Sequence, residues 1–283
     1  KSARPDVIVL DLEMPRMDGM TFLRTLGYSI PVVVCSGRPE AVMALEEGAV
    51  EVIAKPAHGV AEFLAEQKAA ILHSIRAAAA SRRPAAVPAV QAPRVAAAPA
   101  AQVIAIGAST GGTEALRVVL AEMPPDSPPI VVVQHMPALF TRAFAARLNE
   151  VCAIEVREAV DGEWLAAGVA LIAPGNRHLS VHRASSGFSV QLLDAAPVAR
   201  HRPSVDVLFH SVARAAGRQA VGVLLTGMGA DGAEGLVALR TAGALTIAQD
   251  EATSVVFGMP KEAILRGGAD RVLPLTRIAA ALR

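Results

Sequence analysis

The chain has 283 residues, enough for one large or two ordinary domains, and its 53% hydrophobic and 19% charged content excludes wholesale disorder. Lys plus Arg (27) nearly balance Asp plus Glu (26) and aromatics are only 3%, which argues against nucleic acid as the main partner. With no apolar run of membrane-spanning length, no leader at the start, and two isolated cysteines (Cys35 and Cys152), it reads as a soluble, cytoplasmic protein with reduced thiols.

In chain order, DVIVL (6–10), PVVVC (31–35) and VEVIA (50–54) are continuous apolar runs, as expected of strands covered on both faces. Helical pattern lies between them at 20–26 and 39–48, and a last helix spans about 60–77. This is the βαβ rhythm of a parallel sheet. Asp11, Ser36 and Lys55 each directly follow one of the three strands. Residues 78–101 are Ala, Pro and Val with three arginines and no patterned apolar face. Repeated Pro forbids a continuous helix, so they are read as a linker between domains 1–77 and 102–283.

The rhythm then returns. VIAI (103–106), IVVV (130–133), VALIA (169–173), VGVLL (221–225), LTIAQ (245–249) and RVLPL (271–275) are the strand candidates. Leu116, Val119, Leu120 and Met123 repeat at helical spacing, as do Val205, Leu208, Phe209 and Val212, with Ser204 placed as N-cap. Residues 177–193 alternate around a Ser-Ser-Gly turn and predict an inserted hairpin. The fold class is α/β, a doubly wound parallel sheet preceded by a smaller parallel-sheet domain.

In such sheets, functional groups gather beyond the carboxyl ends of the strands. Three loops stand out after residue 101. Gly107-Ala108-Ser109-Thr110-Gly111 matches G-x-S-x-G in a strand–turn–helix setting, where the serine hydroxyl is pushed out of the sheet and backbone N–H groups are free for an oxyanion. By itself it fits a phosphate loop with Ser109 as N-cap equally well. His135 follows IVVV, where an imidazole suits a general base, although a lone His there is more often structural. Asp231 lies on a glycine-flanked loop after VGVLL and could orient that His, or could merely favour a helix N-terminus.

Nucleophile, base and acid each ending a different strand of one domain favour a serine hydrolase. The order Ser, His, Asp differs from the Ser, Asp, His of α/β-hydrolases, unless Asp161 or Asp194 pairs with His201 or His210. His178 and His182 flank an alternating segment, where a strand separates them by roughly 13 Å at ~3.3 Å per residue, so they cannot share a metal. A non-catalytic nucleotide- or phosphate-binding module, or a signalling adaptor, is the alternative reading.

IGASTGGTEAL, VVQHMP, LIAPGNRHLSV, RPSVDVLFHSVA, LLTGMGADGAEGL and AQDEATSVVFGMPKEAI, in order over 102–283, resemble the motifs of chemotaxis protein-glutamate methylesterases. PDVIVLDLEMPRMDGMTFL resembles the response-regulator receiver domain of the same family, of flavodoxin-like fold. The resemblance implies Ser109 as nucleophile, His135 as general base and then acid, and Asp231 as orienting carboxylate. It also implies an oxyanion hole from the N–H groups of Thr110 and Met228, with no cofactor for the esterase. The implied substrates are γ-glutamyl methyl esters, and in many members glutamines, on methyl-accepting chemoreceptors. Contact with membranes is then peripheral, through the receptors alone.

In the receiver, the resemblance implies Asp11 as phosphoacceptor, with Ser36 and Lys55 contacting the phosphoryl group and a histidine kinase as donor. Pro56 also fits the pattern. Mg²⁺ would be needed, yet no acidic pair precedes Asp11 and the first strand–helix units are missing, so this receiver is expected to be partial. Asp11 is then not efficiently phosphorylated in this chain, and strand 6–10 has one exposed edge.

Overall fold

Three of the apolar runs pair as a small parallel sheet in the first of two units, Lys1–Arg83 and Pro84–Arg283. The structure, a computed structural model, describes residues 5–15, 17–27, 29–55, 60–81 and 102–283. In the first unit, β1 (Ile8–Asp11), β2 (Val32–Ser36) and β3 (Glu51–Ala54) lie in the order β1-β2-β3, with Asp11 opposite Cys35 and Ser36 opposite Ala54. Val32, Val33 and Val34 of the middle strand are fully buried. Helix α1 (Gly19–Leu26) is capped by Asp18, which accepts the Thr21 N–H at 2.9 Å.

The segment predicted as one helix over 39–48 is instead a 3₁₀ turn, Pro39–Val42, running into a single helical turn, α2 (Met43–Glu46). Gly48, at φ 98°, ends it before a second turn can form. Helix α3 (Val60–Ala79) runs two residues into the segment read as linker. Residues 82–101 of that segment, and Pro56, lie outside the described residues.

In the second unit seven strands form one parallel sheet: β4 (Val103–Ala108), β5 (Ile130–Gln134), β6 (Glu155–Glu158), β7 (Val169–Ile172), and, past the antiparallel hairpin β8 (His178–Ala184) and β9 (Gly187–Leu193), β10 (Ala220–Leu224), β11 (Leu245–Gln249) and β12 (Arg271–Leu273). Their order is β12-β11-β10-β4-β5-β7-β6. The chain leaves β4 on one side toward β5 and later returns to its other side as β10, so the strand order reverses at β4. A crevice opens at the carboxyl ends at such a point. The edge strand β6 was not anticipated. Its sequence EVRE buries only Val156, so it carries no apolar run.

Helices α4 (Gly112–Ala121), α5 (Ala138–Val151), α6 (Val205–Ala216), α7 (Ala233–Thr241), α8 (Met259–Leu265) and α9 (Leu275–Leu282) complete the unit. Val103, Ala105, Val131 and Val133 point to one face and share a core with α6 and the hairpin residues Leu179, Val181, Phe188 and Val190. Ile104, Ile106, Ile130 and Val132 are buried on the other face, where α4 packs with α5 and α9. Coverage of both faces is why these strands read as unbroken apolar runs. No helix among the described residues is long and apolar enough to cross a membrane.

Candidate active site

Ser109, His135 and Asp231 follow β4, β5 and β10, three adjacent strands of the second sheet. The β4–β5 register pairs Ala108 with Gln134, so Ser109 and His135 are the next residues across a ladder whose strands are about 4.8 Å apart. The His135 N–H donates to Ala108 O at 3.1 Å and keeps the two loops together. Gln134 adds a tie that sequence reasoning missed. Its buried Nε2 donates to Ser109 O at 2.9 Å and to His135 O at 3.2 Å.

The third loop closes on Ser109 from the other side. Ser109 N–H donates to Thr226 O at 3.0 Å. A Cβ on Gly227 would stand 2.7 Å from Ser109 Cβ and 2.3 Å from Met259 Sδ, so only glycine lets this loop approach. Thr110 begins the turn into α4, and Met228 follows Gly227. Thr226 Oγ1 links the two loops, donating to Thr110 O at 2.9 Å and accepting the Val256 N–H at 3.0 Å. The two N–H groups expected to face an oxyanion therefore flank the Ser109–Gly227 junction.

His135 Nε2 lies 2.7 Å from Asp231 Oδ2, with both side chains buried. Asp231 sits at a helix N-terminus, that of α6 and not that of α7, which follows it. It accepts the N–H groups of Val205 (2.8 Å) and Asp206 (3.1 Å) and the Ser204 hydroxyl (2.7 Å). Gly107 makes this possible, since a Cβ there would lie 2.2 Å from Val205 Cγ1 and push α6 away. Burial alone would raise the carboxyl, but the bonds from His135, Ser204 and Val205 outweigh it and hold Asp231 well below the usual carboxylate range. Burial pushes the neighbouring Asp206 up, with the Asp231 charge adding to it.

An ionised carboxylate only accepts, so the proton of a neutral His135 resides on Nε2 and Nδ1 keeps its lone pair. Nδ1 is buried with no hydrogen-bond partner among the described residues. The ring is thus oriented in the reverse sense from trypsin-type proteases, where Nδ1 faces the aspartate. Such an arrangement can take a proton at Nδ1 and return it there.

The alternative acids are committed elsewhere. Asp161 accepts the Leu192 N–H at 2.7 Å, and Asp194 pairs with Arg202 at 3.0 Å. His178 and His182 lie along β8, as the strand reading expects. His178 accepts the Ser204 N–H at Nδ1 and meets Ala196 O through Nε2. His201, a second residue missed as a partner, stacks on His135 with ring centroids 3.7 Å apart and planes 5° from parallel.

In the first unit, Asp11, the last residue of β1, and Lys55, just after β3, meet at 2.6 Å. Lys55 and the Glu13 N–H hold Asp11 below the usual carboxylate range. Ser36 closes β2, its hydroxyl accepting the Arg38 N–H at 3.1 Å. Glu13 pairs with Arg38, and Asp18 caps α1.

The family profile described as CheB methylesterase matches residues 104–282, and that of the response regulator receiver domain matches residues 1–65. The chain is 56% identical to a protein-glutamate methylesterase/protein-glutamine glutaminase of Anaeromyxobacter dehalogenans, covering 100% of this chain and 86% of the relative. It is 53% identical to another of that name from Geobacter metallireducens, over 97% and 84% of the two chains. The crystal structure of the Thermotoga maritima CheB methylesterase catalytic domain matches with a TM-score of 0.63 at 39% identity, covering 64% of this chain and 97% of that one.

Proposed function

We propose, since the chain belongs to the CheB methylesterase family of hydrolases and carries a receiver domain, that Ser109, His135 and Asp231 hydrolyse γ-glutamyl methyl esters, and the corresponding glutamine amides, on chemoreceptor proteins. The observation that carries the reading is the Asp231–His135 bond at 2.7 Å, which leaves an unpartnered Nδ1 on the residue that follows β5, beside the end of the strand that leads to Ser109.

His135 Nδ1 takes the Ser109 proton as Oγ attacks the γ-carbonyl carbon. The N–H groups of Thr110 and Met228 hold the resulting oxyanion. Asp231 stabilises the imidazolium and keeps the proton of the neutral ring on Nε2. Methoxide is a poor leaving group near neutral pH, so the imidazolium returns its proton as the C–O bond breaks and methanol departs. Water then attacks the acyl-serine, His135 again taking and returning the proton, and the glutamate is released. An amide substrate needs the same acid and releases ammonia. A phosphate loop at 107–112 would leave the Asp231–His135 pair without a role.

Where the receiver also has the acidic pair that would hold Mg²⁺, it inhibits the esterase until Asp11 accepts phosphate from a histidine kinase, with Lys55 pairing with the phosphoryl group and Ser36 contacting it. In such an intact receiver Asp11→Asn abolishes activation by a phosphodonor and leaves basal hydrolysis intact, whereas the 283-residue chain is not efficiently labelled.

A fluorophosphonate tests the nucleophile. Expected is a single adduct mapped by mass spectrometry to Ser109, lost in Ser109→Ala and slowed in His135→Ala. An adduct on another serine, or equal labelling of Ser109→Ala, rejects the assignment.

A further inference from the structure

We infer that His201 is a positioning residue for His135: its ring lies flat on the His135 imidazole and fixes the plane in which Nδ1 would receive the Ser109 proton. The inference rests on the Ser109–His135–Asp231 reading and adds a fourth side chain, from a loop outside the three strand ends.

The need for such a contact follows from how a histidine moves. Its ring turns about Cβ–Cγ through a soft, roughly two-fold torsion. Asp231 holds Nε2, which lies nearer that axis than Nδ1 does. The same rotation displaces Nδ1 further than Nε2. One bond at Nε2 therefore restrains the atom that transfers the proton less than the atom it holds. A flat ring in contact with the face of the imidazole blocks the rotation directly. His201 supplies it, with centroids 3.7 Å apart and planes 5° from parallel.

The loop that carries His201 is built to hold it there. Val198 and His201 exchange backbone bonds of 3.1 and 2.8 Å around Ala199 and Arg200, at φ 48° and 70°. Two successive non-glycine residues in the left-handed region are costly, and such strain concentrates at functional sites. Arg202 fastens the next position, donating to Asn176 Oδ1 (3.0 and 2.6 Å), Asp194 Oδ1 (3.0 Å) and Ala195 O (2.9 Å). On the other flank, His178 Nε2 meets Ala196 O at 3.0 Å. Both sides of His201 are thereby tied to the loop and strand after β7.

The test compares His201→Ala, His201→Leu and His201→Phe in methanol release from a methylated receptor fragment, with thermal unfolding of each. Leu fills space without a flat face, whereas Phe keeps the face and discards the ring nitrogens. Expected is a loss in kcat on the order of 10²-fold for Ala and Leu, as for a small misplacement of reacting groups, with KM nearly unchanged. Phe should restore kcat to within roughly fivefold of wild type, even where its unfolding midpoint matches that of Leu. If Ala does not fold, the Leu–Phe pair decides. Wild-type kcat in Ala or Leu, or a Phe variant as impaired as Leu, overturns the inference. Ser109→Ala in the same assay separates the two levels: its inactivity beside an unaffected His201→Ala removes only the role of His201, whereas its activity removes the underlying reading.

Discussion

Asp231 Oδ2 lies 2.7 Å from His135 Nε2 while the same carboxylate accepts two backbone N–H groups and a hydroxyl at the start of α6. One side chain thus joins the proposed base to a helix N-terminus. The helix dipole and the bonds keep the carboxylate ionised, which sets the tautomer of His135. Structure and proposed chemistry depend on the same charge.

Asp231→Asn should therefore lower kcat on the order of 10⁴-fold, because an amide can hold the wrong tautomer. It should also cost about 2 kcal/mol of stability near neutral pH, since charge-assisted bonds become neutral ones. Steady-state kinetics and urea unfolding of the same preparation check both.

The acid limb of stability has a definite sign. The folded-state value of Asp231 is depressed, so its contribution is complete above the ordinary carboxylate value and is lost as pH falls below about 4 toward the depressed value. Asp206 is shifted the other way and opposes this in part. Urea midpoints measured at falling pH should drop more steeply in wild type than in Asp231→Asn. Parallel curves would show that Asp231 does not carry the charge.

Gln134→Leu keeps the bulk of the side chain but removes the donor to Ser109 O and His135 O. Two buried carbonyls then lose a bond, at roughly 1–3 kcal/mol in all, and fluorophosphonate labelling of Ser109 should slow by at least about tenfold. Gln134→Glu, which cannot donate there when ionised, should be no better.

Gly227→Ala introduces one methyl group 2.7 Å from Ser109 Cβ. The loop bearing Met228 must retreat, and kcat should fall on the order of 10²-fold with less effect on global stability. Methanol release and the unfolding midpoint separate the two.

Most of the sheet was legible because a parallel strand buried on both faces has to be apolar throughout, as in VIAI and VGVLL. Ser109, His135 and Asp231 were legible for a related reason, since each lies in the loop that follows such a run. Edge strand β6 was not, because one buried side chain in EVRE makes no pattern. The 39–48 segment has helical composition but too little length between Pro39 and Gly48. Gln134 and His201 carry no signal of their own. Their parts come from two carbonyls brought side by side by strand register, and from a loop folded back over the site.

The most direct measurement is methanol release from a methylated chemoreceptor fragment by wild type and Ser109→Ala at equal concentration. Wild type should turn over, and the variant should lose on the order of 10⁶-fold in kcat, retaining only what binding and the oxyanion hole supply. Release by Ser109→Ala at near wild-type rate would contradict the account.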